Sequence, residues 1–216
     1  MTDLRARRDV REPAGRSGDT EEAICAAAER LMAERPFMQL SVADVLTEAG
    51  VSRASFYFYF ASKYALLERL ATRVTGGVFG SSRAWFDGDA AVGDPRPQLR
   101  EAVAGAFDAW SQHGPVIRAI IESGPAAPQV AQLWERLMGE FVDAAAARIR
   151  RDREHGASDA AGPDPQTLAA SLLWMTERAL YLSVAGGEPA FGDRERTVET
   201  LTDVWFRAIY ATAESS

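Results

Sequence analysis

Two short amphipathic stretches separated by a single tight turn constrain this chain more than any other feature. Ser41 and Asp44 make a capping pair, after which Val42, Val45, Leu46 and Ala49 repeat at the spacing of one helix face. Gly50 can end that helix in the left-handed conformation that other residues avoid. Two residues later Ser52 is placed to cap another helix, running through Phe56 to about Tyr59. Neither stretch buries enough surface to stand alone, because isolated helices shorter than about 12–15 residues are marginal in water. Each must lean on a longer neighbour. Ile24, Ala27, Ala28 and Leu31 supply one, a helix predicted from a capping start at Asp19 and Glu22 to Arg35-Pro36. Val51, Phe56 and Phe60 then face it. Helix, short helix, glycine turn, short helix is the helix-turn-helix arrangement. Ser62 starts a fourth helix that carries Leu66, Leu67 and Leu70.

The rest of the chain reads as helix throughout. Candidate helices cover about 97–113, 115–123, 127–154, 165–185 and 194–212. Their separators are Gly114-Pro115, Gly124-Pro125, the loop from His155 to Pro165, and Gly186-Gly187-Glu188-Pro189. Alternating strand patterns are nearly absent, so the fold class is all-α: an N-terminal three-helix helix-turn-helix domain joined to a larger helical domain. Residues 1–18 hold five arginines, three acids, a proline and two glycines without apolar periodicity, which predicts a mobile tail. The expected division is therefore tail 1–18, helix-turn-helix domain 19–62 and helical body 63–216.

Composition closes off several classes. With 216 residues, 47% hydrophobic and 25% charged, the chain suits one or two ordinary globular domains. No apolar run approaches the roughly 18 residues of a membrane-spanning helix, and Arg7-Arg8 has no apolar stretch behind it. A cytoplasmic protein without a membrane partner is expected. One cysteine permits no internal disulfide, and Cys25 reads as a small packing residue. Two widely spaced histidines and that cysteine make no metal site, and no cofactor is expected. His113 and His155 lack a nucleophile at a recognisable spacing, and phosphate loops and dinucleotide fingerprints are missing, so no catalytic residue is assigned. Residues 1–75 carry 11 basic and 11 acidic side chains, which leaves the net charge of −7 on the remainder. That neutral first third keeps open a helical ligand-binding or adaptor protein that does not touch DNA.

Chemistry can be read from Val51-Ser52-Arg53-Ala54-Ser55-Phe56-Tyr57-Phe58-Tyr59-Phe60-Ala61-Ser62-Lys63. On a helix capped by Ser52, Phe56 and Phe60 share the inner face, while Arg53 and Tyr57 share another with Ala54 and Ser55 beside them. That outer face is short and free of acidic residues, and it can enter a DNA major groove about 12 Å wide. Arg53 can give guanine a two-pronged hydrogen bond, Ser55 can reach a base or a phosphate, and Tyr57 offers its ring to thymine methyls. Tyr59 and Lys63 look placed for the phosphate backbone, Lys63 near a helix start that also attracts anions. The cap serines Ser41 and Ser52 complete the candidate DNA-contacting set. A palindromic site with half-sites about 34–36 Å apart demands a two-fold protein, so a homodimer on double-stranded operator DNA is expected.

This segment, together with Ser41-Val42-Ala43-Asp44-Val45 and Ala49-Gly50-Val51-Ser52, resembles the signature of the TetR family of bacterial repressors. The resemblance implies DNA-contacting roles for Tyr57, Tyr59 and Lys63; Tyr64 departs from it, since many relatives carry glutamate there. Further strings, Gln132 to Met138, Met175 to Tyr181, Ala185 to Pro189 and Val204 to Tyr210, are similar to a repressor of this family that holds elongated apolar ligands in a tunnel through its body. Carried over position by position, the resemblance implies a lining of Leu99, Val103, Trp110, Trp134, Met138, Phe141, Leu173, Thr176, Tyr181 and Trp205 around a small hydrophobic effector. Leu173 and Thr176 stand where that relative has asparagines, and Ala106 where it has phenylalanine. A ligand held by such an amide is therefore not expected to be held the same way here. The last two helices are expected to pair with their copies in a dimer.

Overall fold

The computed structural model describes residues 14–88 and 93–210, which form eight α-helices and, among the described residues, no strand. The chain divides into two compact units, residues 1–66 and 67–216. In the first, α1 (Ala14–Glu34) packs on both α2 (Val42–Ala49) and α3 (Arg53–Tyr59). Among the described residues α1 begins at Ala14, so Asp19 lies inside the helix. The physical reason is that a favourable cap residue does not start a helix when the residues before it also take helical backbone. Residues 14–18, expected as tail, are thus helical, and the remainder of that expectation lies outside the described residues. Ile24, Ala28 and Leu31 of α1 close over Val45, Phe56 and Phe60, with Phe37 and Leu40 filling in from the connection. A short 3-10 turn, Phe37–Gln39, follows Pro36 in that connection.

Both expected caps of the short helices form. Ser41 and Asp44 exchange side-chain and backbone hydrogen bonds across the first turn of α2. Gly50 ends α2 at φ +66°, where any residue with a Cβ is strained. Helix α4 (Lys63–Phe86) opens in the first unit and continues into the second.

The second unit is built from most of α4 with α5 (Arg96–Ser123), α6 (Pro128–Glu154), α7 (Pro165–Ala185) and α8 (Arg194–Tyr210). In it, α6 lies along α7, while α5 meets α6, α7 and α8. The two pieces expected at 97–113 and 115–123 are one helix with a kink, non-helical only at His113 (φ −111°, ψ 22°). Pro115 removes a backbone donor and crowds the preceding turn, yet packing on both sides lets the helix resume. Gly105 of α5 sits against α4 so closely that a Cβ there would lie 2.7 Å from the Cβ of Ser81.

One buried polar node ties three helices. Arg148 Nε donates to Asp152 at 2.6 Å, and Asp152 also accepts the Tyr210 hydroxyl at 2.7 Å. The Arg148 guanidinium further donates to the carbonyl of Trp85, and Arg151 donates to that of Phe86, so the last turn of α4 is held by α6. A buried ion pair is tolerable when its remaining polar atoms are satisfied in this way.

Candidate functional site

The outward face of α3 is built from its cap. Ser52 Oγ accepts from the Ser55 main-chain N–H at 3.0 Å and lies 2.9 Å from the Ser55 hydroxyl. With the first turn fixed, Phe56 and Phe60 point into the core and Tyr57 is left 46% exposed. Arg53 is exposed, its guanidinium 5.7 Å from the centre of the Tyr57 ring, so the two side chains share one face. Ala54 is exposed beside them, Ser55 is partly so, and Tyr59 is half-buried with its ring against the edge of Phe58. Phe58, which sequence reasoning left without a role, is the most exposed large apolar side chain of this unit at 77%. Its signal was available: Phe58 is four residues from Ala54 and shares that outward stripe.

Two residues of the expected set are engaged elsewhere. Ser41 is committed to its capping box, its hydroxyl accepting from the Asp44 N–H at 3.2 Å and lying 2.7 Å from the Asp44 carboxylate. Hydrogen bonds from the Ser41 side chain and backbone, reinforced by Arg35, pull the Asp44 carboxyl down to about 2. Lys63 differs more sharply from expectation. Its ammonium donates to the carbonyls of Leu40 at 2.8 Å, Met38 at 3.2 Å and Phe37 at 3.4 Å, and lies over the Phe37 and Tyr64 rings. An ammonium has three protons, and all three are taken by main-chain oxygens. Desolvation lowers its pKa. Lys63 is therefore a clamp on the connection between α1 and α2, and no proton of it is left for a phosphate in this arrangement.

In the second unit two adjoining cavities run between the helices. The first, about 550 Å³, is lined by Trp110, Ile117, Trp134, Met138, Leu180 and neighbouring residues. The other, about 440 Å³, is lined by Trp85, Leu99, Val103 and Trp205 among others. Val78, Ala106, Phe141, Leu173 and Thr176 border both, so the two cavities adjoin between α4, α5, α6 and α7. Nine of the ten residues expected around a tunnel lie on these walls. Tyr181 is not brought there. It sits on the half-exposed C-terminal part of α7, its hydroxyl 3.4 Å from Glu122 and its ring under the Arg178 guanidinium.

Polar groups on these walls are few. The Thr176 hydroxyl donates to the Leu172 carbonyl at 2.9 Å and accepts from Trp205 Nε1 at 2.9 Å, so its only proton is spent inside the protein. The buried Trp134 indole N–H makes no well-formed hydrogen bond, its polar neighbour being the Glu177 carboxylate. Glu177, half-buried on the wall of the first cavity, has its pKa raised by desolvation; the nearby Trp134 indole and Arg178 oppose that rise only partly. Sequence reasoning missed Glu177, although Leu173, Thr176, Glu177 and Leu180 follow one another at helix-face spacing.

Comparison with known proteins gives this geometry a family. The profile of "Bacterial regulatory proteins, tetR family" matches residues 24–70, and that of "Transcriptional regulator EthR, C-terminal domain" matches residues 99–211. The HTH-type transcriptional regulator EthR of Mycolicibacterium smegmatis is 35% identical over 214 residues, covering 96% of this chain and 93% of that protein. The chain belongs to the TetR family. EthR of Mycobacterium tuberculosis (strain H37Rv) is likewise 35% identical, over 95% of this chain and 93% of its own length. Among solved structures, a TetR-family transcriptional regulator from Syntrophomonas wolfei superposes with a TM-score of 0.74 at 15% identity, covering 92% of this chain and 99% of that one. The α3 face falls inside the TetR match and both cavities draw on the EthR-type one. The relatives are transcriptional regulators, in keeping with a chain to which no catalytic residue was assigned. No helix among the described residues is long and apolar enough to cross a membrane.

Proposed function

We propose that this transcriptional regulator is a cytoplasmic, homodimeric repressor that binds a palindromic operator and releases it when a small hydrophobic molecule occupies the body. One observation carries the reading: α3 turns Phe56 and Phe60 inward and leaves Arg53, Ala54, Tyr57 and Phe58 in solvent on a helix without an acidic side chain. Arg53 and Tyr57 read base edges, Phe58 meets thymine methyls, and Ser55 and Tyr59 reach the phosphates. Ser52 serves by holding the helix start. The two copies pair through α7 and α8, which expose Trp174, Met175 and Val204. Large apolar side chains left in solvent along two helices support an interface between copies.

The elongated space takes the effector. Leu99, Val103, Trp110, Trp134, Met138, Phe141, Leu173, Thr176 and Trp205 contact it, and Tyr181 has no part in the lining. Occupation pushes α5 and α6 apart and tilts α4, which changes the separation of the two α3 helices. A ligand shifts that equilibrium only by its differential affinity for the two states, so operator DNA weakens effector binding by the same factor. Mobility-shift titration on the DNA flanking the protein's own gene tests the reading. Sequence-specific retention that falls steeply with salt supports it; equal retention of unrelated duplexes, or none, supports the adaptor reading in its place.

A further inference from the structure

The first cavity is lined by apolar groups apart from Glu177 and the Thr75 and Thr176 hydroxyls. Glu177 is the only charged residue on the described walls of either cavity, and it sits where desolvation already works against its carboxylate. The neighbouring polar group, the Thr176 hydroxyl, has no proton to offer a ligand carbonyl. On the same wall as Glu177 the Trp110 and Trp134 rings stand edge to face, their centres 6.1 Å apart, and both border the cavity. Indole faces attract cations through their quadrupole, most strongly where water is excluded. A carboxylate beside two indoles, with no basic residue on the wall, has the composition of a receptor for an organic cation. Neutral lipids and fatty acids bring that carboxylate no cation, and the Trp134 indole and Arg178 offset its desolvation only in part.

Resting on the reading of this space as the effector tunnel, we propose that the ligand is an elongated apolar molecule bearing a protonated amine, with the ammonium held between Glu177 and the Trp110–Trp134 pair. The ammonium donates to the Glu177 carboxylate, and the hydrocarbon fills the space toward the second cavity. The anchor lies one residue beyond Thr176, where the walls offer a charge rather than a neutral amide.

Octylamine and 1-octanol, alike in chain length and differing in charge, are the probes. Each is titrated calorimetrically into the full chain and into Glu177→Gln, at equal ionic strength and neutral pH. The amine is expected to bind the native protein about tenfold tighter than the alcohol. In Glu177→Gln that preference disappears through weaker amine binding, while the alcohol binds as before. Equal affinities in the native protein, or a preference that survives in Glu177→Gln, overturns the ammonium site and leaves the tunnel standing, since the alcohol is still bound. Binding of neither probe overturns the tunnel reading and the ammonium site together. The native comparison decides on its own if the variant does not fold.

Discussion

Tyr57 and Lys63 separate two ways in which a residue beside DNA can matter. Tyr57 is half-exposed and touches only its helix neighbours Arg53 and Phe56 in its ring contacts, so Tyr57→Ala should change the thermal midpoint little and weaken operator retention about tenfold or more in a mobility-shift titration. Lys63→Met keeps the aliphatic stem and removes three charge-assisted donors. It should cost about 2 kcal/mol in urea unfolding before any DNA is added. A loss of DNA binding in that variant would then follow from a loosened clamp and not from a missing phosphate contact. Asp44 gives a signature in pH. Its folded-state pKa of about 2 lies below the usual 3.8, so its contribution is complete above the ordinary carboxylate range and is lost as pH falls through about 2. The thermal midpoint of the native chain should drop over that interval by more than that of Asp44→Asn, in which the titrating group is gone.

At the scale of elements, the sequence was most legible where side chains write their own punctuation. Ser41, Gly50 and Ser52 marked the ends of α2 and α3 because a cap is a local hydrogen bond between residues three apart. The kink at His113 was legible as a break, but whether a helix resumes after Pro115 is decided by the helices packed around it. The clamp at Lys63 was hidden for the same reason: three of its partners are main-chain oxygens 23 to 26 residues away, and a carbonyl carries no sequence signal. Nine of the cavity-wall positions were reached by likeness to a relative, whereas Glu177 needed the register of α7 seen against α6. The contact at Gly105 was silent too. Gly105→Ala drives a methyl into Ser81 and should cost about 1–3 kcal/mol in urea unfolding, through overpacking between α4 and α5.

For the whole molecule, the proposed assembly and response can be tested apart. Trp174, 42% exposed, should not be needed for the fold of one chain. Trp174→Arg is therefore expected to sediment as a monomer at micromolar concentration with an unaltered helical spectrum, and to lose operator retention along with pairing. Trp134→Ala should alter the concentration of effector needed for release more than the affinity for DNA in its absence. The bonds from Arg148 and Arg151 to the carbonyls of Trp85 and Phe86 bear on how such a response travels. They pin one end of α4 and leave the other 23 residues away. A rod of that length, about 34 Å at 1.5 Å per residue, turns a small tilt at its anchored end into a larger shift along its length. Under the proposed response, a rotation of about 5° near Phe86 corresponds to a displacement of about 3 Å at Lys63, nearly the width of a base step.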